Sequence, residues 1–424
     1  MESTNTPKMV ALAAKISETV TELQQRLAAQ GLPSPSFSED APETLPAELA
    51  HLQDAVVDAT SELHDMLLNP ISLLFQSSAI SNLVSIDTIC RYKIAELVPS
   101  GGKISFGDIA KQAGLEEPLV RRLLRHAMTM RIFQEPEPDM VAHTKISKFL
   151  RIPYINAWVS VGAREGWPAC TKMVDAMQKW PGSEESNETG FSLANNTDKS
   201  IYEVLAADQT RAMRFAASME AMDHFPGFSA EAVTKAYDWA SLGKATVVDV
   251  GGSRGHVAIE LAQSFGDMKL VVQDMAMVVA GAESGVPEPL KGRVQFMAHE
   301  LFKPQPVQAD AYFLRMVFHN WSDKYALRIL KAQIPSLRPG VKILIQDACM
   351  PEPGVIPQWR EQDLRAMDMS MGCFFNARER TLKEWKALLV AADERFVLKQ
   401  LIEPERSMLA LLEIVWDPSG STKA

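Results

Sequence analysis

The chain has 424 residues, 46% of them apolar and 23% charged, with a formal net charge of −10. That is room for two domains, or one large one with a helical extension, in a composition ordinary for a soluble globular protein. The negative balance offers no global attraction to nucleic acid or to an anionic membrane, although it leaves a local basic patch open. Four cysteines, Cys90, Cys170, Cys349 and Cys373, are too scattered for a zinc site and too few to staple a chain this long. They read as buried free thiols in a reducing cytosol.

The opening MESTNTPKMVALAAKISE has no basic start followed by an apolar core, and no apolar run reaches the ~18–20 residues of a membrane span. A cytoplasmic protein is expected. Residues 9–30 carry Leu12, Ile16, Val20, Leu23 and Leu27 at the spacing of one helical face. The linker GLPSPSFSEDAPETLP follows, and a second amphipathic helix starts near Pro46, with Leu49, Leu52, Val56, Leu63 and Leu67 on its apolar side. Neither helix has an obvious local partner; an intertwined dimer or packing on the same chain would bury these faces.

Residues 103–150 have the pattern of a winged helix. KISFGDIAKQAGLEEPLVRRLLRHAMTMRIF reads as a short strand, a helix, a turn at Gly114 and a second helix with Pro118 near its start. QEPEPDMVAHTKIS supplies the strand pair of the wing. Arg121, Arg122 and Arg125 on the second helix raise a DNA-binding reading, but Glu135, Glu137 and Asp139 in the wing would repel phosphate, so scaffolding is the better reading. Residues 151–235 are mainly helical and rich in aromatics and methionine: Trp158, Trp167, Trp180, Phe191, Tyr202, Phe215, Met213, Met219 and Met222. Most read as core, a minority as the lining of a pocket for a flat apolar ligand.

From about residue 240 strands alternate with helices. Strand-like runs occur at ATVVDV, KLVVQDM, RVQFMAHEL, ADAYFLRMVF, KILIQDACM, RFVLKQLIE and SMLALLEIVW, with helical stretches such as HVAIELAQSF and KYALRILKAQI between the first five. The pattern predicts an α/β fold with a parallel, doubly wound sheet. Three parts follow: 1–150 helical and winged-helix, 151–235 a helical connection, and 236–424 the sheet domain.

The first strand runs into VVDVGGSRGH, where Asp249, Gly251, Gly252 and Gly255 let backbone approach a ligand. Alone this is weak, because dinucleotide-binding folds use similar loops. Asp274, closing the second strand, can accept both ribose hydroxyls of adenosylmethionine or of NAD. Topology separates the two. The short connection between RFVLKQLIE and SMLALLEIVW cannot hold a parallel crossover, so the last two strands form an antiparallel hairpin. A reversed final strand is characteristic of class I methyltransferases.

With VVDVGGSRGH, VVQDM, AHELFKPQPVQADAYFLRMVFHNWSDKYALRIL and NARERTLKEW in this order, the chain resembles the fungal secondary-metabolite O-methyltransferases, themselves similar to the plant caffeic acid O-methyltransferases. The resemblance covers nearly the whole chain. It implies S-adenosyl-L-methionine as cofactor, a winged-helix dimerisation domain and an intertwined homodimer, with no role for nucleic acid or membrane. It assigns Asp249, Gly251 and Gly252 to the methionine part and ribose, Asp274 to the ribose hydroxyls, and Glu300 and Leu301 to the adenine side; Glu300 stands where the family usually has Asp. Arg315 replaces a lysine common in the plant enzymes, and Trp321 packs near the adenosyl group. His319 matches the catalytic histidine, beside Asn320 in place of the plant Asp, and Asp347 and Glu379 match acids that orient it.

Each of these has a plainer alternative: a structural histidine at a strand end, Asp347 as a strand cap, Glu379 as a helix N-terminal charge before RTLKEW. Met367, Met371, Phe374, Phe375 and Asn376 lie where the family builds its acceptor pocket, with Trp158 and Met222 closing it from the helical side. Such a lining suits a large, flat, apolar acceptor bearing a phenol, enol or N-hydroxyl. No metal is expected, since no carboxylate cluster for magnesium is evident. Two rivals remain: a cofactor-binding pericyclase or dehydratase on the same fold, and a winged-helix DNA-binding regulator.

Overall fold

The structure is a computed structural model describing residues 6–78, 80–225, 228–404 and 407–420. The chain forms two compact units. One comprises Met1–Glu165, Met213–Met219 and Pro353–Asp363; the other comprises Gly166–Ala212, Glu220–Glu352 and Leu364–Ala424. The division therefore falls near residue 165 rather than 150, and the segment 151–235 is shared between the units instead of standing as a third part.

In the first unit, helices α1 (Lys8–Ala29) and α2 (Ala50–Leu67) pack on each other through Leu23, Leu27, Leu49 and Leu52, which supplies the partner each lacked in sequence. Not every expected apolar position is covered: Val20 and Leu67 are exposed. The linker between them forms no helix or strand until residue 47, yet it is tethered. Glu39 accepts the Gly101 amide at 2.7 Å, Asp40 pairs with Lys148 at 3.0 Å, and Phe37 lies under the Arg131 guanidinium.

Helices α3 (Pro70–Ser77) and α4 (Ser81–Arg91) follow. Contrary to the sequence expectation, the stretch Pro70–Arg91 is long and apolar enough, by length and composition alone, to cross a membrane, with a mean hydropathy of 1.2 and 18% of that window buried. Ile71, Leu74, Phe75, Ile80 and Val84 are all exposed on it.

The winged helix forms as its sequence predicts. Strand β1 (Lys103–Ser105) leads into α5 (Phe106–Ala113), Gly114 turns the chain at φ 68°, and α6 (Glu117–Thr129) starts with Pro118 in its first turn. Strands β2 (Gln134–Glu137) and β3 (Met140–Ala142) complete a sheet in the order β1-β3-β2. The wing carboxylates do more than oppose phosphate. Glu135 holds Arg125 at 2.7 Å, and Asp139 and Glu117 hold Arg121, so two of the three arginines are neutralised within the module.

Two contacts explain why remote segments join this unit. Buried Glu165 pairs with Arg214 at 2.7 Å, fixing the middle of the helix Gln209–His224. Asp58 accepts the backbone amides of Gln358 and Trp359 at 3.0 and 3.1 Å, capping a helix that starts 300 positions later. Met213 and Met219, expected in the core, are exposed.

The second unit is built on seven strands: β4 (Thr246–Val250), β5 (Lys269–Asp274), β6 (Val294–Ala298), β7 (Ala311–Arg315), β8 (Lys342–Asp347), β11 (Phe396–Ile402) and β12 (Ala410–Trp416). A two-stranded parallel pair, β9 (Cys349–Met350) and β10 (Arg380–Thr381), lies apart from it. The main order is β11-β12-β8-β7-β4-β5-β6, parallel except at β12, which pairs antiparallel with both β8 and β11. The expected hairpin is present, with its second strand inserted inside the sheet.

Both faces are covered, as a parallel sheet demands. Helix α7 (Trp167–Lys179) belongs to this unit, and α8 (His256–Ser264) packs through Ala258, Leu261 and Ala262 on the face of Val247, Phe313 and Leu344. Helices α9 (Asp323–Gln333) and α11 (Leu382–Ala392) cover Val248, Leu314, Ile343 and Ile345, with fully buried Trp385 in the same cluster. Each fully buried aliphatic side chain here stabilises the fold by roughly 1.5–3 kcal/mol. Helix α10 (Gln358–Phe375) leads back towards β10. The strand order reverses between β4 and β7, and in such sheets ligands bind beyond the strand ends at that point.

Candidate active site

At the end of β4 the chain turns through Gly251 (φ 79°) and Gly255 (φ 78°). The glycines are required by close approach. A Cβ on Gly252 would lie 2.4 Å from the Asp249 carboxylate, and one on Gly251 would lie 2.8 Å from Val317. Asp249 is buried beneath this loop, and its carboxyl is pushed up to about 7 by that burial, against the lowering effect of Arg315 and with the help of Asp274. Asp274, at the end of the adjacent strand β5, accepts the amides of Ser253 at 2.9 Å and Met275 at 2.7 Å.

A buried acid disfavoured as an anion, beside a backbone cradle that admits no side chain, fits a ligand that brings positive charge, as a sulfonium or ammonium does. Arg315 donates to the carbonyl of Phe228 as well as facing Asp249. Glu300 is exposed and paired with Lys303 at 2.6 Å, while Leu301 is half-buried against the core. Trp321 stacks with Tyr202 (6.1 Å between centroids, 29°) and meets Phe302 edge-on at 4.9 Å.

The end of β7 carries the second half of the site. Met316 takes a left-handed conformation (φ 53°) and the chain makes a single 3₁₀ turn, Phe318–Asn320. His319 is buried, and its Nδ1 lies 3.0 Å from Oε1 of Glu379, itself buried. Asp347 is fully buried at the end of β8 and accepts the Phe318 amide at 3.1 Å.

Burial alone would push the imidazole of His319 down. The hydrogen bond and charge of Glu379, the charge of Asp347 and the Met316 carbonyl outweigh it, so the ring is raised above the usual histidine value. Burial raises Asp347 to about 7, with His319 and Arg380 opposing and Glu379 adding to the rise. Asp347 Oδ1 and Glu379 Oε2 are buried without a hydrogen-bond partner among the described residues.

The plainer sequence alternatives resolve in part. Asp347 does cap, but the amide it caps belongs to the His319 turn. The helix that follows Glu379 is capped by Thr381 and Glu384, which form a capping box on α11. Glu379 is in turn fixed by its own amide, which donates to Asp368 at 2.8 Å.

Met367, Met371, Phe374 and Phe375 all fall on α10. Phe374 packs between Phe191 and Phe375, and Phe375 against Tyr202, so a row of aromatic rings runs from Phe191 to Trp321. Asn376 is spent elsewhere: its amide donates to the carbonyls of Glu185 and Glu188 at 3.2 and 3.1 Å. Met222 is half-buried in this unit, whereas Trp158 belongs to the other unit and is 42% exposed.

Tyr202, one of the aromatics that the sequence divides between core and pocket lining, lies against Trp321 and Phe375. Neighbours surround it closely enough that burial and Asp274 raise its phenol, yet part of its surface stays accessible and its hydroxyl has no hydrogen bond to the described residues. Only its place beside an aromatic-rich stretch signalled this. Among the described residues no group of three or more His, Cys, Asp or Glu is placed to hold a metal ion.

Comparison with known proteins agrees with this geometry. The sequence profile of the O-methyltransferase domain matches residues 182–393, and that of the O-methyltransferase dimerisation domain matches residues 74–151. The O-methyltransferase PaMT of Phomopsis amygdali is 46% identical, over 97% of this chain and 97% of its own. The grayanic acid biosynthesis cluster O-methyltransferase of Cladonia grayi is 38% identical, over 96% of this chain and 87% of its own. Among solved structures, one described as a pericyclic reaction enzyme superposes with a TM-score of 0.75 at 23% identity, covering 96% of this chain and 100% of that one, which is a likeness of fold. A glycine cradle over a buried acid, a histidine held by a glutamate, and a relative sharing nearly half its residues end to end lead to one conclusion: this chain belongs to the O-methyltransferase family.

Proposed function

We propose that the protein transfers a methyl group from S-adenosyl-L-methionine to a hydroxyl of a flat, apolar secondary metabolite, with His319 as general base. The observation that carries this reading is the buried His319–Glu379 pair. With Nδ1–H donated to Glu379, the neutral ring leaves Nε2 free to take a proton.

The cofactor supplies, when bound, an electrophilic sulfonium methyl. The chain's task is to align an oxygen with it and remove that oxygen's proton. A phenol, enol or N-hydroxyl loses its proton too rarely near neutrality to react unaided, and a positioned base contributes roughly 10²–10⁴-fold. Glu379 fixes the tautomer and stabilises the imidazolium that forms. Asp249, Asp274 and the glycine loop hold the donor, and Trp321 and Tyr202 line its nucleoside side. Met367, Met371, Phe374 and Phe375 offer soft and aromatic surface to the acceptor. Asn376 is better read as fastening the 185–188 loop than as an acceptor contact.

The working form is a homodimer. The dimerisation domain includes Phe75, Ile80 and Val84, and a second copy covers that exposed apolar face. A His319→Ala variant is expected to bind S-adenosylhomocysteine normally and to lose roughly 10²–10⁴-fold in turnover; full turnover in that variant would overturn the base assignment. A product of unchanged mass formed from an apolar acceptor, in place of a methylated one, would favour the pericyclase reading instead.

A further inference from the structure

We propose that Arg380 is a positioning residue for the base: its guanidinium clamps the short turn that carries His319 while its chain neighbour Glu379 holds the imidazole. The proposal rests on the reading of His319 as general base.

Arg380 is almost wholly inside the protein, its side chain 1% exposed. Its Nη1 donates to the Phe318 carbonyl at 3.0 Å and its Nη2 to the Trp321 carbonyl at 2.8 Å. These two carbonyls bracket His319 on either side. Its Nε donates to Asp323 at 2.9 Å, at the first residue of α9, so the same side chain also ties the turn to the helix that follows. Below the guanidinium lies the Trp385 ring at 5.4 Å, and Trp385 in turn meets Phe318 edge-on at 5.6 Å.

The turn needs such support. It is one 3₁₀ turn entered through a left-handed Met316, a conformation that costs a non-glycine residue about 1–3 kcal/mol and persists only when its surroundings fix it. Arg380 also sits on β10, in register with Cys349 on β9, two positions beyond Asp347. Two consecutive residues, Glu379 just before the strand and Arg380 as its first residue, therefore supply the imidazole's partner and the backbone clamp. A guanidinium suits the place because its planar fork reaches three acceptors at once, which an ammonium cannot do in the same geometry.

A misplacement of about 1 Å at a reacting group lowers turnover by on the order of 10²-fold. We expect Arg380→Ala to lose about that much kcat, with the acceptor KM and the S-adenosylhomocysteine Kd within roughly threefold of wild type, and to regain activity when guanidinium ion is added. Combined with His319→Ala, the loss should not deepen, because Arg380 acts only through the histidine. Arg380→Lys, which keeps charge and part of the bonding, is expected to lose about tenfold and serves as the deciding variant where Arg380→Ala does not fold. The proposal is overturned if the folded variant keeps kcat within twofold, if the loss falls on cofactor affinity, or if it adds in full to that of His319→Ala. Normal turnover in His319→Ala alone marks failure of the base reading, not of the clamp.

Discussion

Replacing Glu379 with glutamine removes one charge and almost no volume, and so isolates the electrostatic part of the His319 environment. The Nδ1–Oε1 contact is 3.0 Å with the two side chains 8% and 1% exposed, so solvent screens it little. In the resting enzyme the ring donates to a carboxylate, and the bond strengthens as the ring becomes imidazolium. A hydrogen bond to a charged group contributes ~1.5–3 kcal/mol and a neutral one ~0.5–1.5 kcal/mol, so the variant loses about 1–2 kcal/mol at the transition state, or roughly 5–30-fold in kcat.

A second signature carries a sign. In the proposed role the base works unprotonated, and because Glu379, Asp347 and the Met316 carbonyl together outweigh burial, the wild-type acidic limb is expected above the ordinary histidine value. With glutamine in place, burial regains its lowering effect and the limb moves to lower pH. Initial rates of S-adenosylhomocysteine release at saturating acceptor, measured across the range where histidine titrates, test both. An unmoved or raised limb with undiminished kcat would refute the reasoning.

Gly252→Ala puts a Cβ 2.4 Å from the Asp249 carboxylate; overpacking of about 1–3 kcal/mol predicts S-adenosylhomocysteine binding weakened roughly 5–150-fold by calorimetry. Tyr202→Phe keeps the stack on Trp321 and removes a hydroxyl that has no hydrogen bond to the described residues. Its cofactor affinity is expected to fall about 2–10-fold with Tm unchanged, and an unchanged affinity would show that the phenol faces no ligand. Phe75→Asp, at a side chain 76% exposed, is expected to give folded monomers by sedimentation; persistent dimers would place the interface elsewhere.

Sequence reveals what is local or repeated, and this chain divides along that line. The winged helix was legible because Gly114 and Pro118 punctuate its helices, and the sheet because apolar runs alternate with helical ones. The pairing of His319 with Glu379 was legible because FHNWSD and NARERTLKEW stand in the order and composition of the resembled family. Partner choice across long separations was not. Nothing near Asp58 announces that it will cap a helix at residue 358, and nothing in ALLEIVW says that it inserts between β8 and β11. The wing acids were expected to repel phosphate, and their pairing with Arg121 and Arg125 was not foreseen. Tyr202 and Arg380 do not stand out in sequence, because what distinguishes them is a hydroxyl without a hydrogen bond to the described residues and a buried guanidinium, properties of three-dimensional packing.

Strand alternation sets Asp249 on the face of Val247 and Asp347 on the opposite face, with Ile343 and Ile345. Both sit at strand ends, and burial holds both near 7. Each keeps a proton that the unfolded chain releases near its ordinary value of about 4, so stability is fully present below that value and is lost as pH rises through about 7. The cofactor-free enzyme is therefore expected to melt at lower temperature near pH 7.5 than near pH 5.5, by a margin that shrinks in Asp249→Asn. Positive charge supplied beside Asp249 reverses its part of the penalty, so donor binding should release a proton near neutrality, visible as a buffer-dependent binding enthalpy that Asp249→Asn abolishes. If the wild-type enthalpy is independent of buffer, Asp249 is already ionised and the glycine loop is not a cradle waiting for a cation.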